Sequence, residues 1–173
     1  MLQKIIKSTV LLALIFIVKA GAQSSPSPIT IDPTIRIIQP ITIEKVPDKD
    51  LHFGKFAAYV STEGTIVLSP AGERTPSEGI ELLGGSTVGA AQFIVRGLEA
   101  SPFSLDLPLS TTVVNQTYGT DEMTVTNFTT DLSGFTIGTG GTTTFNVGAT
   151  LNKGVNDRRG TYIGSFSLTV NYE

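Results

Sequence analysis

From Tyr162 to Glu173 the chain alternates without a break. Tyr162, Gly164, Phe166, Leu168, Val170 and Tyr172 point one way, and Ile163, Ser165, Ser167, Thr169, Asn171 and Glu173 point the other. Period two is the mark of a pleated strand with one face buried and one wet. The same period recurs in short runs separated by turn residues. "GTIVLSP" sets Ile66 and Leu68 on one face, and "AAQFIVRG" does so with Phe93 and Val95. "FSLDLPL" aligns Phe103, Leu105, Leu107 and Leu109, and "FNVGATLN" aligns Phe145, Val147, Ala149 and Leu151. Residues 51–59, "TTVVNQTYG" and "EMTVTNFT" read as further strands. No window of helical length keeps a 3.6-residue apolar stripe. The pattern predicts an all-β, immunoglobulin-like or pilin-like antiparallel β-sandwich.

A second alternating segment lies near the other end. Ile29, Ile31, Ile35, Ile37, Ile41 and Ile43 all occupy odd positions, interrupted only by Pro33 and Gln39, with Ile38 the stray. β-branched side chains suit a pleated, half-buried surface. Pro28, Pro33, Pro40 and Pro47 lack an N–H, so this strand belongs at a sheet edge or is broken into pieces. We read one piece near residues 29–37 and another near 41–45.

Residues 1–22 read as a secretory signal peptide. Lys4 and Lys7 precede a short apolar run, residues 9–18, and Ala20-Gly21-Ala22 supplies small residues for cleavage after Ala22. The run is about half the roughly twenty residues a membrane span needs, so the mature chain carries no transmembrane segment. Residues 23–40 form an N-terminal extension or first strand, and residues 41–173 a single domain. Cleavage removes Lys4, Lys7 and Lys19 and no acid, so the formal charge moves from −3 to −6. An acidic chain without a basic patch argues against nucleic acid as a partner. With 0 cysteines there is no disulfide framework, thiol nucleophile or cysteine metal site.

Chemistry is sparse. His52, the 1 histidine, reads as a solvent-facing strand side chain. Asp48 and Asp50 in "PDKD" lack the remaining ligands of a calcium loop and read as a polar turn. Asp121 and Glu122 are adjacent, so on a strand they face opposite ways. "GTGG" at residues 138–141 has neither the lysine nor the helix of a phosphate loop. Asn115 and Asn127 begin N-x-[ST] sequons. Catalysis needs an acid, base or nucleophile acting in concert, and no such set stands out. The chain reads as non-enzymatic, with no cofactor or metal.

A family resemblance accompanies these residues. "PITIEKVPDKDLHFGKF", "GTIVLSPAGERT", "GIELLGG", "AAQFIVRG", "FSLDLP", "EMTVTNF", "FNVGATLN" and "GTYIGSFSLTVNY" occur in an order that resembles an uncharacterised family of secreted bacterial β-domains, a domain of unknown function. That family is distantly similar to spore coat protein U and to fimbrial subunits. The resemblance implies a bacterial envelope setting, in the periplasm, on the outer surface or outside the cell. Gly160, fourteenth from the end, and the penultimate Tyr172 also resemble the ending of chaperone–usher pilins. In those proteins such a strand meets a periplasmic chaperone and then a strand of the next subunit. The likeness implies an assembly edge at Gly160, Tyr162, Phe166, Leu168, Val170 and Tyr172. The isoleucines 29, 31, 35 and 37 are the matching donor strand, offered to a homologous subunit. The absence of a disulfide departs from many pilins, and a closed sandwich can end the same way. The alternative is therefore a self-contained sandwich that binds a ligand through the loops "AGERTPSEG", "GGSTVG" and "GTGG".

Overall fold

The computed structural model describes residues 29–173, so the predicted signal peptide lies outside the described residues. Twelve β-strands and no helix are found among them. The chain divides after Arg36, and the sandwich is built within Ile37–Glu173.

The scaffold is β10 (Thr142–Lys153), the longest strand. Its two halves have different neighbours along one edge. Thr142 to Val147 ladder antiparallel to β6 (Ala91–Arg96), and Ala149 to Lys153 to β3 (Gly64–Leu68). Gly148 sits where the partner changes. A Cβ there would strike the Leu68 carbonyl and come within 2.7 Å of Pro70 N, so only glycine lets the two neighbours converge. Along its other edge β10 pairs with β9 (Glu122–Thr130), which pairs with β8 (Ser110–Asn115), which pairs with β11 (Tyr162–Gly164). β1 (Thr42–Lys45) adds beyond β6, and β4 (Arg74–Pro76) beyond β3. Two short ribbons complete the sandwich: β7 (Phe103–Asp106) with β12 (Thr169–Tyr172), and β2 (Phe56–Ala58) with β5 (Ile80–Leu82). Phe103 and Ile80 from the ribbons join Ile66, Val95, Phe145, Val147 and Leu151 of the sheet in one continuous core.

The alternation predicted for β3, β6 and β10 is found with its phase intact: Ile66, Leu68, Ala91, Val95, Phe145, Val147, Ala149 and Leu151 are buried. In β9 the buried set changes phase, from Met123 and Val125 to Phe128. The cause is a β-bulge. Gly148 faces Thr129 and Thr150 faces Thr126, so the single residue Ala149 faces both Asn127 and Phe128. Asn127 takes φ 50°, a left-handed conformation that asparagine tolerates better than most residues.

Several expectations are corrected. The piece near residues 29–37 forms no strand. Its N–H and C=O groups enter no ladder, and Pro33 has no donor to offer. The run from Tyr162 to Tyr172 is two strands rather than one, because the chain leaves β8 after Gly164 and reaches β7 at Thr169. The strand expected over residues 51–59 shortens to β2, preceded by a single bridge between His52 and Gly89. "AGERTPSEG" is not all loop, since β4 runs through it. Leu109 leaves the apolar face of its run and is exposed, one residue past Pro108 where β7 has already ended. "GFTIGTGGTTT" is more than a turn: Ile137 is buried, and Phe103 N–H donates to the Phe135 carbonyl.

Phe145 lies fully inside the core and stacks on Phe93 at 5.7 Å. Phe145→Ala is expected to cost about 3–5 kcal/mol in urea unfolding. Leu109→Ala, on the apolar face predicted for the Phe103 run but in water, should change stability by less than about 0.5 kcal/mol.

Candidate assembly site

The six residues expected to form one assembly edge do not share one: Tyr162 lies in β11, Val170 and Tyr172 in β12, and Gly160, Phe166 and Leu168 in no strand. Gly160 precedes β11, and a Cβ there would meet the Asn115 amide at 2.6 Å. Asn115 is only 1% exposed and ties the turn after β8. Its Oδ1 accepts from the N–H groups of Thr117 (2.9 Å) and Tyr118 (3.1 Å). The glycine of the C-terminal pattern is thus required by a close neighbour within the same domain. Burial also closes the Asn115 sequon to modification in the folded chain, whereas Asn127 is exposed.

Tyr162 is half-buried on β11, and its hydroxyl donates to the Arg158 carbonyl at 2.7 Å. Gly164 lies against β8 so closely that a Cβ would strike the Thr112 carbonyl. Beyond it, residues 165–168 belong to no ladder, although the Thr111 hydroxyl donates to the Ser165 carbonyl at 2.6 Å. Alternation nonetheless persists. Phe166, Leu168 and Val170 turn inward against the core while Ser165, Ser167 and Thr169 stay exposed. Phe166 meets Phe128 at 4.9 Å and Phe93 at 6.2 Å between ring centroids. These contacts bridge β9 and β6 from the layer change.

Tyr172 ends the run with a two-way hydrogen bond. Its hydroxyl accepts from Leu98 N–H at 2.6 Å and donates to the Gln39 carbonyl at 2.9 Å. Gly97 allows this approach, since a Cβ there would sit 2.5 Å from the hydroxyl oxygen. One side chain therefore joins β12, the turn after β6, and the chain entering β1.

A cleft of about 320 Å³ opens between the end of β1 and residues 164–166. Ala91 and Phe93 of β6 and Val125 of β9 line it with Leu51 and Phe166, while Lys45 and Asp50 stand beside it. The Lys45 ammonium, hydrogen-bonded to Asp50 at 2.6 Å, holds that carboxyl below its usual value. A depressed carboxylate contributes stability above its unfolded pKa and loses it as pH falls through the folded value. The pair is half exposed, so the contribution is small. Among the described residues β1 has β6 as its single strand partner and β12 has β7.

The four donor isoleucines, Ile29, Ile31, Ile35 and Ile37, are between 81% and 91% exposed. Sequence pattern identified the row, but not that Ile41 and Ile43 of the same phase are the ones packed against the core. Cleft-lining Leu51 and Val125 were not foreseen as site residues, because each reads as ordinary strand interior.

Two of the three loops named for ligand binding also meet. Pro70 to Gly72 and Thr87 to Gly89 border a polar cleft of about 390 Å³ with Asp48, Asp50 and His52. "GTGG" is not part of it. Among the described residues no three His, Asp or Glu side chains are grouped to hold a metal ion. No described helix is long and apolar enough to cross a membrane.

A family model described as a domain of unknown function, DUF4402, matches residues 41–172. The chain belongs to the DUF4402 family. Comparison with curated proteins and with solved structures gave no match. The family match begins at Ile41, so it covers the sandwich and leaves out the four exposed isoleucines.

Tyr172→Phe removes a donor and leaves Leu98 N–H unpaired. A loss of about 1–2 kcal/mol is expected, with faster amide exchange at Leu98. Unchanged exchange there would show that the hydroxyl does not hold this turn.

Proposed function

We propose that this DUF4402 chain is a non-enzymatic subunit exported to the bacterial cell envelope or surface, pilin-like in kind, with a structural or adhesive role. Copies join by strand addition, each offering residues 29–37 to a neighbour. The observation that carries this reading is the row of Ile29, Ile31, Ile35 and Ile37, exposed and without a ladder. Four large aliphatic side chains held in water gain roughly 1.5–3 kcal/mol each on full burial, and their alternation suits one face of an added strand. A periplasmic chaperone that covers the same edges before assembly fits the same chemistry.

The polar cleft bordered by residues 70–72 and 87–89 favours a second reading, a self-contained sandwich that binds a ligand through its loops. The two readings differ in what the N-terminal segment does. Deleting residues 23–38 from the mature chain should leave a folded sandwich, its stability within about 0.5 kcal/mol of the parent, that no longer assembles. Light scattering and thermal melting read both. A parent that stays monomeric at high concentration, or a deletion that assembles as well as the parent, would sink the assembly reading. A marked fall in melting temperature would favour the self-contained one.

A further inference from the structure

We propose that the peptide bond between Arg36 and Ile37 is a processing site, cut by an endoprotease that takes arginine in an acidic specificity pocket. Such an enzyme holds several substrate residues as an extended strand, and its carboxylate pairs with the guanidinium. The segment it cuts must therefore be exposed, extended and free of other backbone bonds. Residues 29–40 are all exposed, and no turn or bend interrupts them. Among the described residues no backbone hydrogen bond involves residues 29–38. The Gln39 carbonyl is the first to be held, by the Tyr172 hydroxyl. Pro33 and Pro40 bracket the bond and bias Asp32 and Gln39 toward extended backbone. Ile37 follows Arg36, so the scissile amide keeps its N–H. The chain also divides into its two units at this bond.

Every other lysine or arginine after residue 22 sits where the fold holds its backbone. Lys45, Arg74 and Arg96 lie in β1, β4 and β6, and Lys153 is buried in β10. The Lys49 carbonyl accepts from Gln92 N–H at 3.2 Å, and the Lys55 carbonyl from Leu83 N–H at 3.0 Å. Before β11 the Arg158 carbonyl accepts from the Tyr162 hydroxyl at 2.7 Å, and the Arg159 carbonyl from the Asn115 amide at 3.4 Å. A cut at any of these needs local opening first, and its rate falls with the population of the open form. At Arg36 nothing has to open. Hydrolysis adds one water: the C–N bond breaks, hydroxyl goes to the Arg36 carbonyl carbon, and a proton goes to the Ile37 nitrogen. The cut parts Ile29, Ile31 and Ile35 from the sandwich and leaves the family-matched residues 41–172 whole. It sheds most of the exposed apolar row, whatever that row binds.

Trypsin, whose pocket takes arginine and lysine, is the probe. The full mature chain at a low trypsin ratio should give one early product that begins at Ile37, read by intact mass and N-terminal sequencing. Arg36→Gln should lose that product, and its first cut should come more than about tenfold more slowly. Chain recovered from the cells that make it should include the form beginning at Ile37, and the Arg36→Gln chain should not. A first tryptic cut after Lys49, Arg158 or Arg159 overturns the accessibility on which the site rests. Recovered parent chain with the Arg36–Ile37 bond intact throughout overturns processing, even where trypsin cuts there. Neither readout depends on assembly, so failure of the assembly reading and failure of this one are distinguishable.

Discussion

The structure depends on one strand serving three neighbours. β10 is long enough to pair with β6 along its first half, with β3 along its second, and with β9 along the second half of its opposite edge. Residues 147–151 are all buried, on both faces, which is the burial of a central strand rather than of a surface hairpin. The exchange of β6 for β3 is possible because Gly148 has no side chain at the point where the Leu68 carbonyl presses in. Placing two strands end to end along one edge also widens the sheet without lengthening every strand. Short elements such as β4 therefore find a place in it.

Opposite this sheet the second layer is made of two ribbons that do not ladder to each other. Side chains add to the few backbone bonds, such as those between His52 and Gly89, that hold the parts together. Arg74 donates to the carbonyls of Phe53 (2.9 Å), Lys55 (3.1 Å) and Leu83 (3.2 Å), tying β4 to the segments around β2 and β5. Lys153, buried at the end of β10, donates to the carbonyls of Thr62 (2.7 Å) and Gly154 (2.8 Å). Both cations are met by backbone oxygens, which spares the sandwich the cost of burying carboxylates as well. The weak point of this construction lies between β1 and the C-terminal run, where aromatic contacts of Phe166 replace a missing ladder.

Much of the fold was legible because period two survives wherever a strand has one buried face. Ile66 with Leu68, Phe93 with Val95, and Phe145 through Leu151 were all placed on the correct side. What sequence could not show was pairing. Residues 162–172 alternate evenly, yet they serve β8 first and β7 afterwards, since alternation records which face is wet and not which strand lies alongside. The bulge at Asn127 escaped for a related reason. "EMTVTNFT" offers apolar residues in both phases, and only the register with β10 decides between them. Leu109 misled because Pro108 intervenes after the strand has ended. At the candidate site the exposed isoleucines were visible as a row, whereas the cleft is assembled from β6, β9 and two connecting segments that no local pattern unites.

The division of residues 162–172 between the two layers also orders events in time. A chain emerges from its N-terminal side, so β6, β8, β9 and β7 are all present before β11 and β12 appear. Until those residues arrive, Phe93 lacks its Phe166 neighbour and Phe103 its β12 partner. The domain is therefore sealed late, by its most distal residues. For that interval the half-made sandwich offers a bare apolar face to whatever binds such surfaces.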